Sequence, residues 1–129
     1  MITGTDFLVM HTKDFDAAVE FYGNTLGLRQ SVRYGKMPGA EFETGNLTIA
    51  VMQSDAFGME YRTTTNPLAL RVDDVHVARA ELEARGVQFV PDVIDSGVCH
   101  MAFFEDPDGN SLLLHNRYAP PDARPPGVQ

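Results

Sequence analysis

Along the chain, apolar side chains switch between a two-residue and a helical period, and the switching happens twice. Over 6–12 they alternate: Phe7, Val9 and His11 fall on one face and Leu8 and Met10 on the other, which predicts a strand. Asp14 then stands where a helix N-cap belongs. Phe15, Ala18, Val19 and Tyr22 follow at helical spacing, and Gly27 ends the run. Three further strands are predicted at 29–34, 39–44 and 46–53. Residues 54–66, "SDAFGMEYRTTTN", keep no period and read as a connector in which Phe57, Met59 and Tyr61 alternate.

The same order then restarts. "PLALRV" (67–72) predicts a strand, Asp74 a second N-cap, and Val75, Ala78 and Leu82 an apolar helix stripe that Gly86 closes. Strands are expected at 88–94, 98–104 and 111–116. From Tyr118 the chain turns proline-rich ("APPDARPPGVQ"), which predicts a loose or extended tail. The two halves align residue by residue: Asp14-Phe15 with Asp74-Val75, Gly27-Leu28 with Gly86-Val87, and Phe42 and Gly45-Asn46 with Phe104 and Gly109-Asn110. A βαβββ unit of this size buries too little alone, so a tandem pair within one domain is expected.

Composition narrows the classes. The chain has 129 residues and a formal net charge of −8, from 10 Lys+Arg against 18 Asp+Glu. Phosphate backbones are bound by cationic surfaces, so a nucleic-acid partner is not expected. The charge favours cationic small molecules and serves solubility equally well. No apolar run nears the ~20 residues of a membrane span, and the first residues lack a signal-peptide layout, so a cytoplasmic protein without a membrane partner is expected. A lone cysteine, Cys99, leaves no internal disulfide. It sits in no recognisable Ser/His/Asp motif and reads as a buried, inert thiol.

Three stretches carry a resemblance: "KDFDAAVEFYGNTLGL" (13–28), "VDDVHVARAELEARGV" (72–87) and "FFEDPDGNSLLL" (103–114). They resemble the vicinal oxygen chelate superfamily, which groups glyoxalase I, extradiol dioxygenases, fosfomycin-resistance enzymes and bleomycin-resistance proteins. The resemblance implies an α+β fold of two tandem βαβββ modules, one about 5–53 and the other about 67–117, forming a curved mixed sheet around a cleft. It also implies a homodimer. Metal-dependent members place ligands on the first and last strand of each module. Carried over by the flanking motifs, those places are Phe7, Ile49, Pro67 and Leu113. The first and third lie seven residues before Asp14 and Asp74, the second and fourth three residues after Asn46 and Asn110. None offers a nitrogen, oxygen or thiolate donor. No metal and no cofactor are therefore expected.

His11 lies four residues beyond Phe7 and His115 two beyond Leu113, and by strand period they face the same way as those residues. The expected function is that of the metal-free, bleomycin-resistance-like members: binding an apolar or aromatic molecule between the modules. Phe7, Val9, Ile49, Pro67 and Leu113 would form the walls, and His11 and His115 the polar contacts. The competing reading is a lyase, isomerase or dioxygenase with His11 or His115 as acid/base, or both with Glu41 or Glu43 in a displaced metal site. His100 lies on the face opposite Cys99 and Met101.

Overall fold

Both predicted caps form. Asp14 sits in extended backbone and its carboxylate accepts from the Ala17 N–H at 3.1 Å. Asp74 does the same for the Val77 N–H at 3.0 Å. Each satisfies an amide the first helical turn would leave bare. The computed structural model describes residues 1–128, and from these caps the chain builds β1 (Phe7–Thr12), α1 (Phe15–Glu20), β2 (Arg29–Arg33), β3 (Gly39–Glu43), β4 (Thr48–Gln53), β5 (Leu68–Arg71), α2 (Val75–Ala84), β6 (Ile94–Asp95), β7 (Cys99–Glu105) and β8 (Ser111–Arg117). The order is βαβββ twice.

Two four-stranded mixed sheets result, ordered β1-β4-β3-β2 and β5-β8-β7-β6. In each, the first strand runs parallel to the last and the rest are antiparallel. The chain divides into two compact units. One comprises residues 1–65 with Asp106–Asn110, the other residues 66–105 with those from Ser111 onward.

In the first unit Met10, Ala40, Phe42, Ile49 and Val51 are buried with Phe15, Ala18, Phe21 and Tyr22 from the helical segment. The Tyr22 ring lies 5.9 Å from that of Phe42. In the second unit the core is Val75, Leu82, Val87, Ala102, Phe104, Leu112 and Leu114. Full burial of each large apolar side chain contributes about 1.5–3 kcal/mol.

Several local features depart from the sequence pattern. The first helix does not run as a plain α-helix to Gly27. After Glu20 it widens into a π-helical turn, Phe21–Thr25, with the Leu26 N–H donating to the Phe21 carbonyl at 2.8 Å. The strand expected at 88–94 shrinks to Ile94–Asp95 plus one isolated bridge, Phe89 to Phe104. Pro91 lies within that stretch and has no N–H for a ladder. The proline-rich tail is not loose. The Tyr118 and Ala119 amides donate to the Val98 carbonyl, and the Arg117 guanidinium binds the Pro120 and Ala123 carbonyls. Gly97, at φ 91°, leaves room for Pro126, which a Cβ would meet at 2.7 Å. The tail's last residue, 129, lies outside the described residues. No helix among those described is long and apolar enough to cross a membrane.

Candidate functional site

Cross-strand partners share a sheet face, so register decides what each face carries. In the first sheet, Phe7 is opposite Thr48, Val9 opposite Ala50 and His11 opposite Met52. Thr48, Ala50 and Met52 are in turn opposite Glu43, Glu41 and Gly39. Leu8, Met10, Ile49, Val51, Phe42 and Ala40 take the other face, and all of these but Leu8 are buried in the core. The first set forms the open face, where Phe7 keeps 58% of its surface exposed and Val9, His11, Glu41, Glu43, Thr48 and Met52 are partly exposed.

This register corrects one expected wall residue. Ile49 is fully buried on the core face, and the open-face residue beside it is Ala50. The cause is where the asparagine sits in each turn. Leu47 stands between Asn46 and Thr48, but Asn110 directly precedes Ser111. Counting from Asn46 as from Asn110 therefore lands one residue early, and one residue reverses the face.

The polar groups of the open face are held by specific partners. His11 Nδ1 lies 2.8 Å from the Oγ of Ser54, a buried residue opening the 3₁₀ turn Ser54–Phe57. The Tyr34 hydroxyl donates a short hydrogen bond to the Glu41 carboxylate. Partial burial, then that bond and the Glu41 charge, push the Tyr34 hydroxyl up to about 12. Ser31 and Thr48 hydroxyls both donate to Glu43, holding its carboxyl below the usual range, with Arg29 adding a smaller pull. Gly39 has no side chain because Tyr34 occupies the space: a Cβ there would overlap Tyr34 Cδ2 and lie 3.0 Å from Phe57 Cζ. The Tyr34 and Phe57 rings meet edge to face, 6.2 Å apart. Aromatic rings, a fixed imidazole and two carboxylates thus share one face.

The turn Asp106–Asn110 braces this unit. Tyr22 donates to Asp106 at 2.7 Å, and Asn110 Nδ2 donates to Asp106 and to the His11 carbonyl at 2.8 and 2.9 Å. Burial, followed by the Asp106 charge, drives the Tyr22 hydroxyl far above its ordinary value, so it remains a donor. The connector is tied here too, with the Tyr61 hydroxyl on Asp108 at 3.0 Å and Lys13 Nζ 4.5 Å above the Tyr61 ring.

In the second unit, Leu113 is opposite Ala69 and Phe103, and His115 opposite Arg71 and Met101. Leu113 is only 5% exposed, His115 partly exposed, and Pro67, just before β5, exposed. The expected residues therefore fall into separate groups: Phe7, Val9 and His11 on the first open face, Leu113 and His115 on one face of the second sheet, and Ile49 in the core. Cys99 is partly exposed rather than buried. His100 lies 3.3 Å from Asp95, between the rings of His76 and Tyr118.

Sequence reasoning missed Ser54 and Tyr34. Tyr34 lies just past the end of β2, and Ser54 begins a stretch with no period. Glu41 and Glu43 were legible through alternation from Gly39, but only as displaced metal ligands.

A divalent metal does not fit the family's ligand places. Phe7, Ala50 (in place of Ile49), Pro67 and Leu113 present no donor atom. Among the described residues no group of three or more His, Cys, Asp or Glu is arranged to hold a metal ion.

The repeated module and its strand order define an α+β protein of the paired βαβββ class. The chain belongs to the Glyoxalase/Bleomycin resistance protein/Dioxygenase superfamily, whose family model matches residues 4–114. Among solved structures it is similar to a glyoxalase/bleomycin resistance protein/dioxygenase from Nocardioides (22% identity, 100% of this chain and 91% of that one, TM-score 0.76). It is also similar to the fosfomycin resistance protein FosX from Listeria monocytogenes (22%, 91% and 94%, TM-score 0.74). A lactoylglutathione lyase from Agrobacterium tumefaciens aligns as well (16%, 89% and 94%, TM-score 0.74). At these identities the likeness shows the fold. No curated protein matches significantly.

Proposed function

We propose that the chain binds a small aromatic molecule carrying a cationic group on the open face of the first sheet, without a metal. The observation that carries this is the half-exposed Phe7 ring on the same face as the Glu41 and Glu43 carboxylates and the anchored His11. Small-molecule sites combine apolar surface with a few directed polar groups, and a cation is what two hydroxyl-braced carboxylates attract. In the other unit Leu113 and His115 share a face with Phe103 and Met101, but Leu113 is buried there and none of the four is a carboxylate. The lone cysteine suits a cytoplasmic setting.

Thermal melts with 2-naphthylmethylammonium test the proposal. A ligand selective for the folded state raises the melting temperature. Phe7→Ala and Glu41→Gln should each weaken binding about tenfold, close to the value of one charged or stacking contact. Binding that ignores both substitutions rejects the assignment.

A catalytic reading has one supporting observation. The Ser54–His11 bond fixes an imidazole, as acid/base chemistry requires.

A further inference from the structure

We infer that Ser54 locks His11 in the tautomer carrying its proton on Nε2, so that the ligand of the open face presents a carbonyl-type oxygen to that N–H. The inference rests on the binding reading above and deepens it.

Ser54 is 1% exposed, and its hydroxyl faces His11 Nδ1 at 2.8 Å. Among the described residues that hydroxyl has no other partner. A proton on Nδ1 would be donated to Oγ, leaving the serine's own O–H buried without an acceptor. With the proton on Nε2, the hydroxyl donates to the bare Nδ1 and only oxygen lone pairs go unused. A buried donor left unmade is the costlier outcome, by on the order of tenfold in the tautomer ratio.

The ring's position is also fixed. The His11 carbonyl is held by Asn110 Nδ2 at 2.9 Å, and His11 is paired with Met52 in the β1–β4 ladder. Nε2 lies on the opposite edge of the partly exposed ring from Nδ1, and among the described residues nothing pairs with it. A neutral imidazole held this way offers a donor and refuses a donor. The carboxylates of Glu41 and Glu43, on the neighbouring strand pairs, do the reverse. The face is polarised: acceptors near β3 for the ligand's cationic end, a donor on β1 for its oxygen.

Two measurements on the full chain decide it. In protein with ¹⁵N-labelled histidine at pH 8, His11, assigned by its loss in His11→Gln, should show a protonated Nε2 and a bare Nδ1. Ser54→Ala should mix the tautomers. A wild-type His11 protonated on Nδ1 overturns the inference, whatever the stability of the variant.

The second measurement compares 4-acetylbenzylammonium with 4-ethylbenzylammonium, alike in shape and charge but differing in the carbonyl. The acetyl probe should bind about tenfold tighter; His11→Phe, which keeps a ring but no donor, should remove most of that preference, whereas Ser54→Ala, which only frees the tautomers, should lower it by about twofold. Equal affinity of the two probes defeats the inference while leaving the binding reading standing. Failure of both to bind, at concentrations where 2-naphthylmethylammonium binds, also defeats the inference alone. Failure of all three takes the binding reading down with it.

Discussion

At the scale of the residue, exposure separates two apolar positions that the family's metal-ligand pattern treats alike. Phe7 and Leu113 both stand at places where metal-dependent relatives carry ligands, yet Phe7 is 58% exposed and Leu113 5%. Phe7 sits at the start of an edge strand with only β4 beside it, whereas Leu113 lies between Ala69 and Phe103 in the middle of its sheet. A carboxylate at Phe7 keeps its water, so Phe7→Glu should change stability by no more than about 0.5 kcal/mol. A carboxylate at Leu113 must either desolvate or take up a proton, so Leu113→Glu should cost roughly 3 kcal/mol or more. Urea titrations of the two variants read the difference directly. Equal midpoints would mean that Leu113 is as open to water as Phe7.

At the scale of the element, Glu43 ties three strands together, accepting from Ser31 at the bulge of β2 and from Thr48 at the start of β4. Those hydrogen bonds hold its folded value below the ordinary 4.5. The stability they contribute is thus fully present above that ordinary value and is lost as pH falls through the depressed folded one. Glu43→Gln should flatten the fall in stability below about pH 4.5 relative to the parent chain, with little change in slope above pH 6. Parallel acid titrations of unfolding midpoints measure it, and superimposable slopes would show that Glu43 is not braced as described. Elements of this kind were largely legible beforehand. Asp14 and Asp74 announced both helices because capping is local chemistry, and alternation found every strand of the first module within two residues. What stayed hidden was non-local. Leu47, between Asn46 and β4, has no counterpart between Asn110 and β8, so the count from Asn46 set Ile49 on the wrong face. The π-helical turn leaves the apolar spacing of Phe21 and Tyr22 unchanged, and the tail's anchoring depends on a carbonyl at Val98. His11 was legible as a polar group on the open face, but its partner Ser54 was not, because a contact 43 residues away leaves no periodic trace.

At the scale of the whole molecule, the unsatisfied features are sheet edges. β1 and β2 flank the first sheet, and β5 and β6 the second. Every residue of β2 is exposed, including Val32 at 42%, and at the other edge Phe7 and Leu8 are 58% and 37% exposed. Unpaired strand edges with apolar side chains invite pairing with another chain, and proteins that stay monomeric blunt them with charge, proline or covering loops. Here β2 carries such blunting, since Arg29 and Arg33 bracket it, whereas β1 is covered only at its far end, where Asn110 of the 106–110 turn holds the His11 carbonyl. "FLVMHT" has no charged residue along its length, and the segment before it adds the exposed Ile2. We therefore expect a homodimer associated through the β1 edge. Light scattering at micromolar concentration should report about twice the 14.2 kDa chain mass. Leu8→Lys should shift the population toward monomer, because it places a charge on the apolar edge while Leu8 itself retains enough water contact for the fold to tolerate it. A monomer in the parent protein would defeat the expectation. A dimer that Leu8→Lys leaves intact, while Val32→Lys disrupts it, would move the interface to β2.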